Sequence, residues 1–185
     1  MDIKEYCNKN LYNELEIIRR TGRAKEFPEL DEFEKTIIYK YSDDGYEILN
    51  EELRLNFEKN NSDFGKFLET SLEKLPNLNK VVYRSAYLSN EEIEKYIQAE
   101  IKNTSVKENS FISATTSKLI ATLEFKGNVL FMIFSRTGKS IEKITKFGIY
   151  DPPSEKEVLF TPNSEFRILG IQQQQEYLLI TMEEI

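Results

Sequence analysis

The hydrophobic period of the chain changes once, near Lys80, and that change limits the fold more than any other feature of the sequence. Leu11, Leu15 and Ile18 fall at i, i+4 and i+7 and predict a helix that stops near Thr21 and Gly22. After Pro28, a second helix is expected from Glu29 or Leu30, carrying Phe33, Ile37, Ile38 and Tyr41 and breaking at the run Ser42 to Gly45. A third is expected from Tyr46 to about Phe57, and Phe64, Phe67, Leu68 and Leu72 mark a fourth, ended before Pro76. Beyond Lys80, Val81 to Arg84 reads as a short strand, and Ser89 to Glu92 is a capping box opening a helix to about Ala99. Short apolar runs at Ser110 to Ser113, Val129 to Phe134, Glu157 to Thr161, Glu165 to Ile171 and Tyr177 to Met182 predict strands, with Gln172 to Gln175 a solvated turn. Helices first and strands later, without βαβ alternation, indicate an α+β fold. One domain is expected over residues 1–185, with 1–75 mainly helical and 76–185 mainly β with short helices.

The side-chain inventory excludes several chemistries. There is no histidine, and Cys7 is the single cysteine, expected to be half-buried. A disulfide within the chain therefore cannot form, and a zinc site would lack its usual ligands. Catalysis cannot use an imidazole base, so it must run on carboxylates, Arg, Lys, Tyr or hydroxyls. With 25 basic and 32 acidic residues the net charge is −7, which argues against wide binding to nucleic acid. No stretch has the length of apolar residues that a membrane span needs, and the first residues lack a signal-peptide pattern.

Three stretches could carry chemistry, and each also has a structural reading. Arg84, at the end of the first strand, could present its guanidinium fork to phosphate oxygens or make a structural ion pair. The run Phe111 to Ser117 offers hydroxyls that could orient a carboxylate or bind a sugar; equally, it could cap a helix over Lys118 to Leu123. Glu155 and Glu157 enter a strand after a loop containing Pro152 and Pro153. In an extended segment the two carboxylates would face one side, where they could divide acid, base and electrostatic roles; alternatively they are a solvated charge run.

In this order, Arg on a first strand, aromatic-x-Ser-x-Thr on a second and Glu-x-Glu opening a later one resemble the Arg-Ser-Glu signature of bacterial mono-ADP-ribosyltransferase toxins and effectors. Tyr41, Tyr46, Leu49, Asn50, Leu53 and Arg54 are similar to that family's Y-x-x-x-x-Y-x-x-I-N-x-x-L-R pattern. Leu72 to Pro76, Gly127 to Leu130 and Glu157 to Pro162 also fall where the family has them, so about residues 30 to 183 are covered. Ser113-Ala114-Thr115 stands where Ser-Thr-Ser is usual, so Ser113 is the hydroxyl carried over.

The resemblance implies a helical N-terminal part packed on two antiparallel-rich sheets that form a cleft for NAD, the co-substrate. It implies that Arg84 binds the pyrophosphate, with Tyr83, Phe111, Ser113 and Glu157 completing the NAD site and Ser113 orienting the catalytic carboxylate. Glu157 would stabilise the ribosyl cation and Glu155 would align and deprotonate an acceptor arginine, while Phe147 or Tyr150 would meet the target protein. Water as acceptor would make the protein an NAD glycohydrolase. A non-arginine or nucleic-acid acceptor and a binding module without turnover are further readings, the last expected to lack Arg84, Ser113 or Glu157. An immunity or inhibitor protein is a further partner of this class, which includes bacterial toxins and phage enzymes acting in the cytosol of a target or infected cell; no metal is implied.

Overall fold

The computed structural model describes residues 1–55 and 62–185, and the chain divides into two compact units. The first comprises Met1–Pro76 and Lys139–Glu157, the second Asn77–Gly138 and Val158–Ile185.

In the first unit, the single N-terminal helix expected from Leu11, Leu15 and Ile18 is two helices, α1 (Ile3–Asn10) and α2 (Tyr12–Arg20). Leu11 leaves helical geometry between them at φ −133°, yet all three predicted apolar positions are buried. Helix α3 (Glu32–Lys40) starts later than expected because Asp31 caps it, in a reciprocal capping box with Glu34. The expected break at Ser42 to Gly45 is instead a π-helical turn, Tyr41–Gly45, that runs straight into α4 (Tyr46–Leu55). Such turns keep the backbone bonded while inserting an extra residue, so polar composition alone does not signal an interruption. The expected end of this helix near Phe57 lies outside the described residues. Helix α5 (Asp63–Glu73) carries the buried Leu68 and Leu72, as its spacing predicts. Cys7 is fully buried rather than half-buried, and burial pushes its thiol up to about 12, which keeps it neutral at ordinary pH.

The second unit opens with β1 (Val81–Ala86), which extends two residues past its expected end, so Arg84 lies within the strand. Helix α6 (Asn90–Lys102) follows, with the predicted Ser89–Glu92 capping box formed. Next come β2 (Ser105–Glu108), β3 (Ile112–Thr115), α7 (Lys118–Leu123) and β4 (Val129–Phe134). The sequence reading missed β2, whose four residues include only one apolar side chain, Val106. Ser117 caps α7 by accepting the Ile120 N–H, so the capping reading of that hydroxyl holds. After the two-residue β5 (Lys139–Ser140) in the first unit, the chain forms β6 (Glu157–Phe160), β7 (Ser164–Gln173) and β8 (Leu178–Glu184). Gln172 and Gln173 lie in β7, so the turn is shorter than expected.

The fold is α+β. From β2 to β6 its strands follow the order β2-β7-β8-β4-β1-β3-β6, one continuous sheet where two are implied, because β1 bonds to β4 on one flank and to β3 on the other. The pairing of β4 with β8 is parallel, and those of β1 with β4, β2 with β7 and β7 with β8 are antiparallel. Val82, Tyr96, Phe131, Ile133, Phe166 and Ile180 belong to the buried core of this unit. Among the described residues, no helix is long and apolar enough to cross a membrane.

Candidate active site

The chemistry-bearing residues form two groups, one in each unit. In the second unit, β1 and β3 are joined through the Tyr83–Thr115 pair, whereas β1 and β4 pair from Val81–Phe134 to Ala86–Val129. Beside the Tyr83–Thr115 pair, Arg84 Nη1 donates to the Ser113 carbonyl at 2.7 Å. The structure thus brings Arg84 and Ser113 together beside the β1–β3 pair, with both residues half-buried. The positive charge of Arg84 is also felt at the Tyr96 phenol. Burial and the neighbouring Glu108, which accepts the phenol hydrogen at 2.7 Å, raise the Tyr96 pKa, and Arg84 opposes them. Tyr83 is half-buried beside Arg84 on β1. Phe111 is buried just ahead of β3, which starts at Ile112 rather than at Ser110.

In the first unit, Glu157 is 7% exposed and its carbonyl accepts the Ile141 N–H at 3.0 Å. The extended segment expected to run through Glu155 and Glu157 is not formed. Lys156 has φ 51°, in the left-handed region, and β6 begins only at Glu157. Two-residue alternation therefore does not reach back to Glu155. The cause is local: Ser154 Oγ accepts the Lys156 N–H at 3.1 Å while donating to Glu142 at 2.6 Å, which bends the chain just before the strand. Glu155 is half-buried and its N–H donates to the Phe147 carbonyl at 2.9 Å. Its charge reaches α4, where burial raises the Tyr46 phenol and Glu47, then Glu155, add to the shift.

The two candidate aromatics differ. Tyr150 is 36% exposed, but its hydroxyl donates to Glu26 at 2.8 Å and its ring fills the space beside Gly22, where a Cβ would lie 2.3 Å from Cε1. Phe147 is 41% exposed, with the Lys146 ammonium 5.5 Å from its ring centre. Tyr150 is thus committed to the first unit's own packing, and Phe147 presents its ring to solvent.

Sequence reasoning missed the residues that hold this loop. Ser42, in the π-helical turn, accepts the Lys146 N–H at 3.0 Å; Asp43 pairs with the Lys146 ammonium; and Glu26 pairs with Lys143 at 3.0 Å. Arg23, in the 3-10 turn Gly22–Lys25, is buried against the same loop. The available signal was slight: Gly22 marks the end of a helix, and nothing in the sequence says which ring will need the space it leaves.

A family model described as NAD:arginine ADP-ribosyltransferase matches residues 7–185. A sequence search of curated proteins finds no match. Among solved structures, the chain is similar to the ADP-ribosyltransferase HopU1 of Pseudomonas syringae pv. tomato, with TM-score 0.80 and 21% identity over 94% of this chain and 87% of that one. It is also similar to the Vis toxin of Vibrio splendidus in complex with agmatine, with TM-score 0.69 and 21% identity over 96% and 85% of the two chains. A third is exoenzyme S of Pseudomonas aeruginosa, solved with human 14-3-3 protein beta and bound to carba-NAD, with TM-score 0.69 and 17% identity over 96% and 88%.

Proposed function

Because the chain belongs to the NAD:arginine ADP-ribosyltransferase family and so takes NAD as the ADP-ribose donor, we propose that its acceptor is an arginine of a target protein, with residues 1–185 acting as one catalytic domain of a toxin or effector. The reaction breaks the bond between nicotinamide and ribose, releases nicotinamide and forms a bond from ribose to a guanidinium nitrogen, which loses a proton. Arg84 binds the pyrophosphate through its planar fork, a contact that an ammonium reproduces less well. Ser113 orients the carboxylate of Glu157, which stabilises the positive charge developing on the ribose as nicotinamide leaves. Glu155 pairs with the incoming guanidinium and takes its proton, and Phe147 meets the target surface.

The observation that carries this reading is the hydrogen bond from Arg84 to the Ser113 carbonyl, which unites two members of the signature on neighbouring strands. Half-burial of Glu155 beside an exposed aromatic, and agmatine, a guanidine, in the Vis complex, support the acceptor assignment.

The test is to measure nicotinamide release and labelling of agmatine or protein arginine with the same samples of wild type and Glu155→Gln. Cleavage needs only a stabilised ribosyl cation, whereas transfer also needs an aligned, deprotonated acceptor. Transfer should therefore fall on the order of 100-fold further than hydrolysis. Parallel loss of both would mean that Glu155 serves cleavage, and unaltered labelling would exclude its role toward arginine. Nicotinamide release by wild type with no guanidine labelled would favour the glycohydrolase reading.

A further inference from the structure

Among the described cations of the first unit Arg23 is the most deeply buried, and nothing in the Arg-Ser-Glu chemistry uses it. It is 1% exposed. Its Nε donates to the Ile144 carbonyl at 2.8 Å, and its Nη2 donates to the Thr145 carbonyl at 2.9 Å and to the Asp151 carboxylate at 2.6 Å. Its guanidinium carbon lies 5.1 Å from the centre of the Tyr39 ring and 5.4 Å from that of Tyr150. Burying a guanidinium is expensive, and an apolar side chain of similar volume usually stabilises packing as well or better. A cation kept in such a place is therefore suited to fixing a geometry. Its partners show which geometry: all three hydrogen bonds reach across more than 120 residues of sequence to one loop, at both shoulders of the turn carrying Phe147.

We propose that Arg23 is a positioning residue for the acceptor half of the reaction, holding Glu155 and Phe147 in register through the loop it clamps; this rests on the acceptor role given to Glu155 above. The mechanical link is short. Arg23 fixes residues 144, 145 and 151, and within that span the Phe147 carbonyl receives the Glu155 N–H at 2.9 Å. A shift of the clamped turn therefore moves the Glu155 backbone with it. Lysine at position 23 would keep the charge, but its single ammonium cannot span two carbonyls and a carboxylate as the fork does. Catalytic groups tolerate little misplacement, since an error of about 1 Å can cost about 100-fold. Of the NAD-cleaving residues, Arg84 and Ser113 belong to the second unit, and Glu157, in the first, is held separately: its carbonyl accepts the Ile141 N–H, a residue that Arg23 does not contact.

The experiment uses the whole chain as Arg23→Lys and as Asp151→Asn. The second removes one charge partner at a side chain that is 57% exposed, leaving both carbonyl contacts and posing little threat to folding. Thermal unfolding sets a working temperature at which each variant is folded. Nicotinamide release without acceptor and ADP-ribosylation of agmatine over a range of agmatine concentrations are then measured. The expected result for Arg23→Lys is a ratio of transfer to hydrolysis lowered by about 10-fold to 100-fold, with a raised agmatine KM and an unchanged NAD KM. Asp151→Asn should move the ratio the same way by a smaller, severalfold step. An unchanged ratio in both variants, or an equal fall of both activities, would overturn the proposal and make Arg23 a purely structural residue. If Arg23→Lys does not fold, Asp151→Asn decides by the same ratio. Wild type that releases nicotinamide but labels no guanidine would instead remove the acceptor reading itself, an outcome distinct from a wild-type transferase indifferent to position 23.

Discussion

On one flank β1 meets β4 along its whole length, from Val81 opposite Phe134 to Ala86 opposite Val129, and β4 is matched in turn to β8 from Val129–Leu178 to Phe134–Glu183. On the other flank it meets β3 through Tyr83 and Thr115. The same strand thus has a full ladder on one side and, on the other, the Tyr83–Thr115 pair with the Arg84–Ser113 bond beside it. A full ladder satisfies its backbone internally and packs its side chains into the core, which leaves little for a ligand to recognise. On the β3 side a charged side chain, Arg84, takes part by donating to a main-chain acceptor, the Ser113 carbonyl. Stability and chemistry should therefore separate along β1, with the β4 side governing the first and the β3 and β6 side the second.

The largest expected effect lies on the ladder side. Ile133, fully buried and paired with Val82 and Met182, should cost about 2–5 kcal/mol of stability as Ile133→Ala. Calorimetric unfolding reads this loss, and the folded variant should bind NAD as wild type does. A large drop in affinity with little loss of stability would break the division. Next comes Glu157→Gln, nearly isosteric, at the start of β6. Removing one electrostatic stabiliser of the transition state typically costs about 2.7–4 kcal/mol, or about 100-fold to 1000-fold in rate, so nicotinamide release should fall by that factor at nearly constant melting temperature. Wild-type turnover by this variant would remove Glu157 from the catalytic group. The smallest effect is that of Arg84→Lys. Losing one hydrogen bond to a charged partner is worth about 1.5–3 kcal/mol, so titration calorimetry should find NAD bound roughly 10-fold to 100-fold more weakly. Equal affinity would return Arg84 to the ladder side of the comparison, as a strut for the Ser113 carbonyl alone.

The fold was more legible than the site. Helical spacing located the buried faces at Leu15, Ile18, Ile37, Leu68 and Leu72, and β4 has the boundaries its run of apolar residues predicts. The capping box at Ser89 and Glu92 was readable because cap and helix are neighbours in sequence. Boundaries failed where a break is not marked by composition, as at Leu11, or where a polar run stays helical, as at Ser42 to Gly45. For the site, residue types and order were legible, but the Glu155–Glu157 geometry was not. The spacing suggests a pleated pair, and Ser154 bends the chain instead.

What the sequence by itself determined is whatever depends on near neighbours and on the stock of side chains: a helical first part, a β-rich second part, chemistry without imidazole, and an ordered set of Arg, Ser and Glu. What only the tertiary structure decided is which distant groups meet. Tyr150, though exposed, is tied to Glu26 and fills the space beside Gly22, whereas the Phe147 ring is committed to neither. Arg23 found carbonyls at Ile144 and Thr145, more than 120 positions away. Every residue carries a carbonyl, so such an acceptor has no signature in the sequence; it becomes a particular partner only when folding brings a buried charge beside it and excludes the water that would otherwise have served.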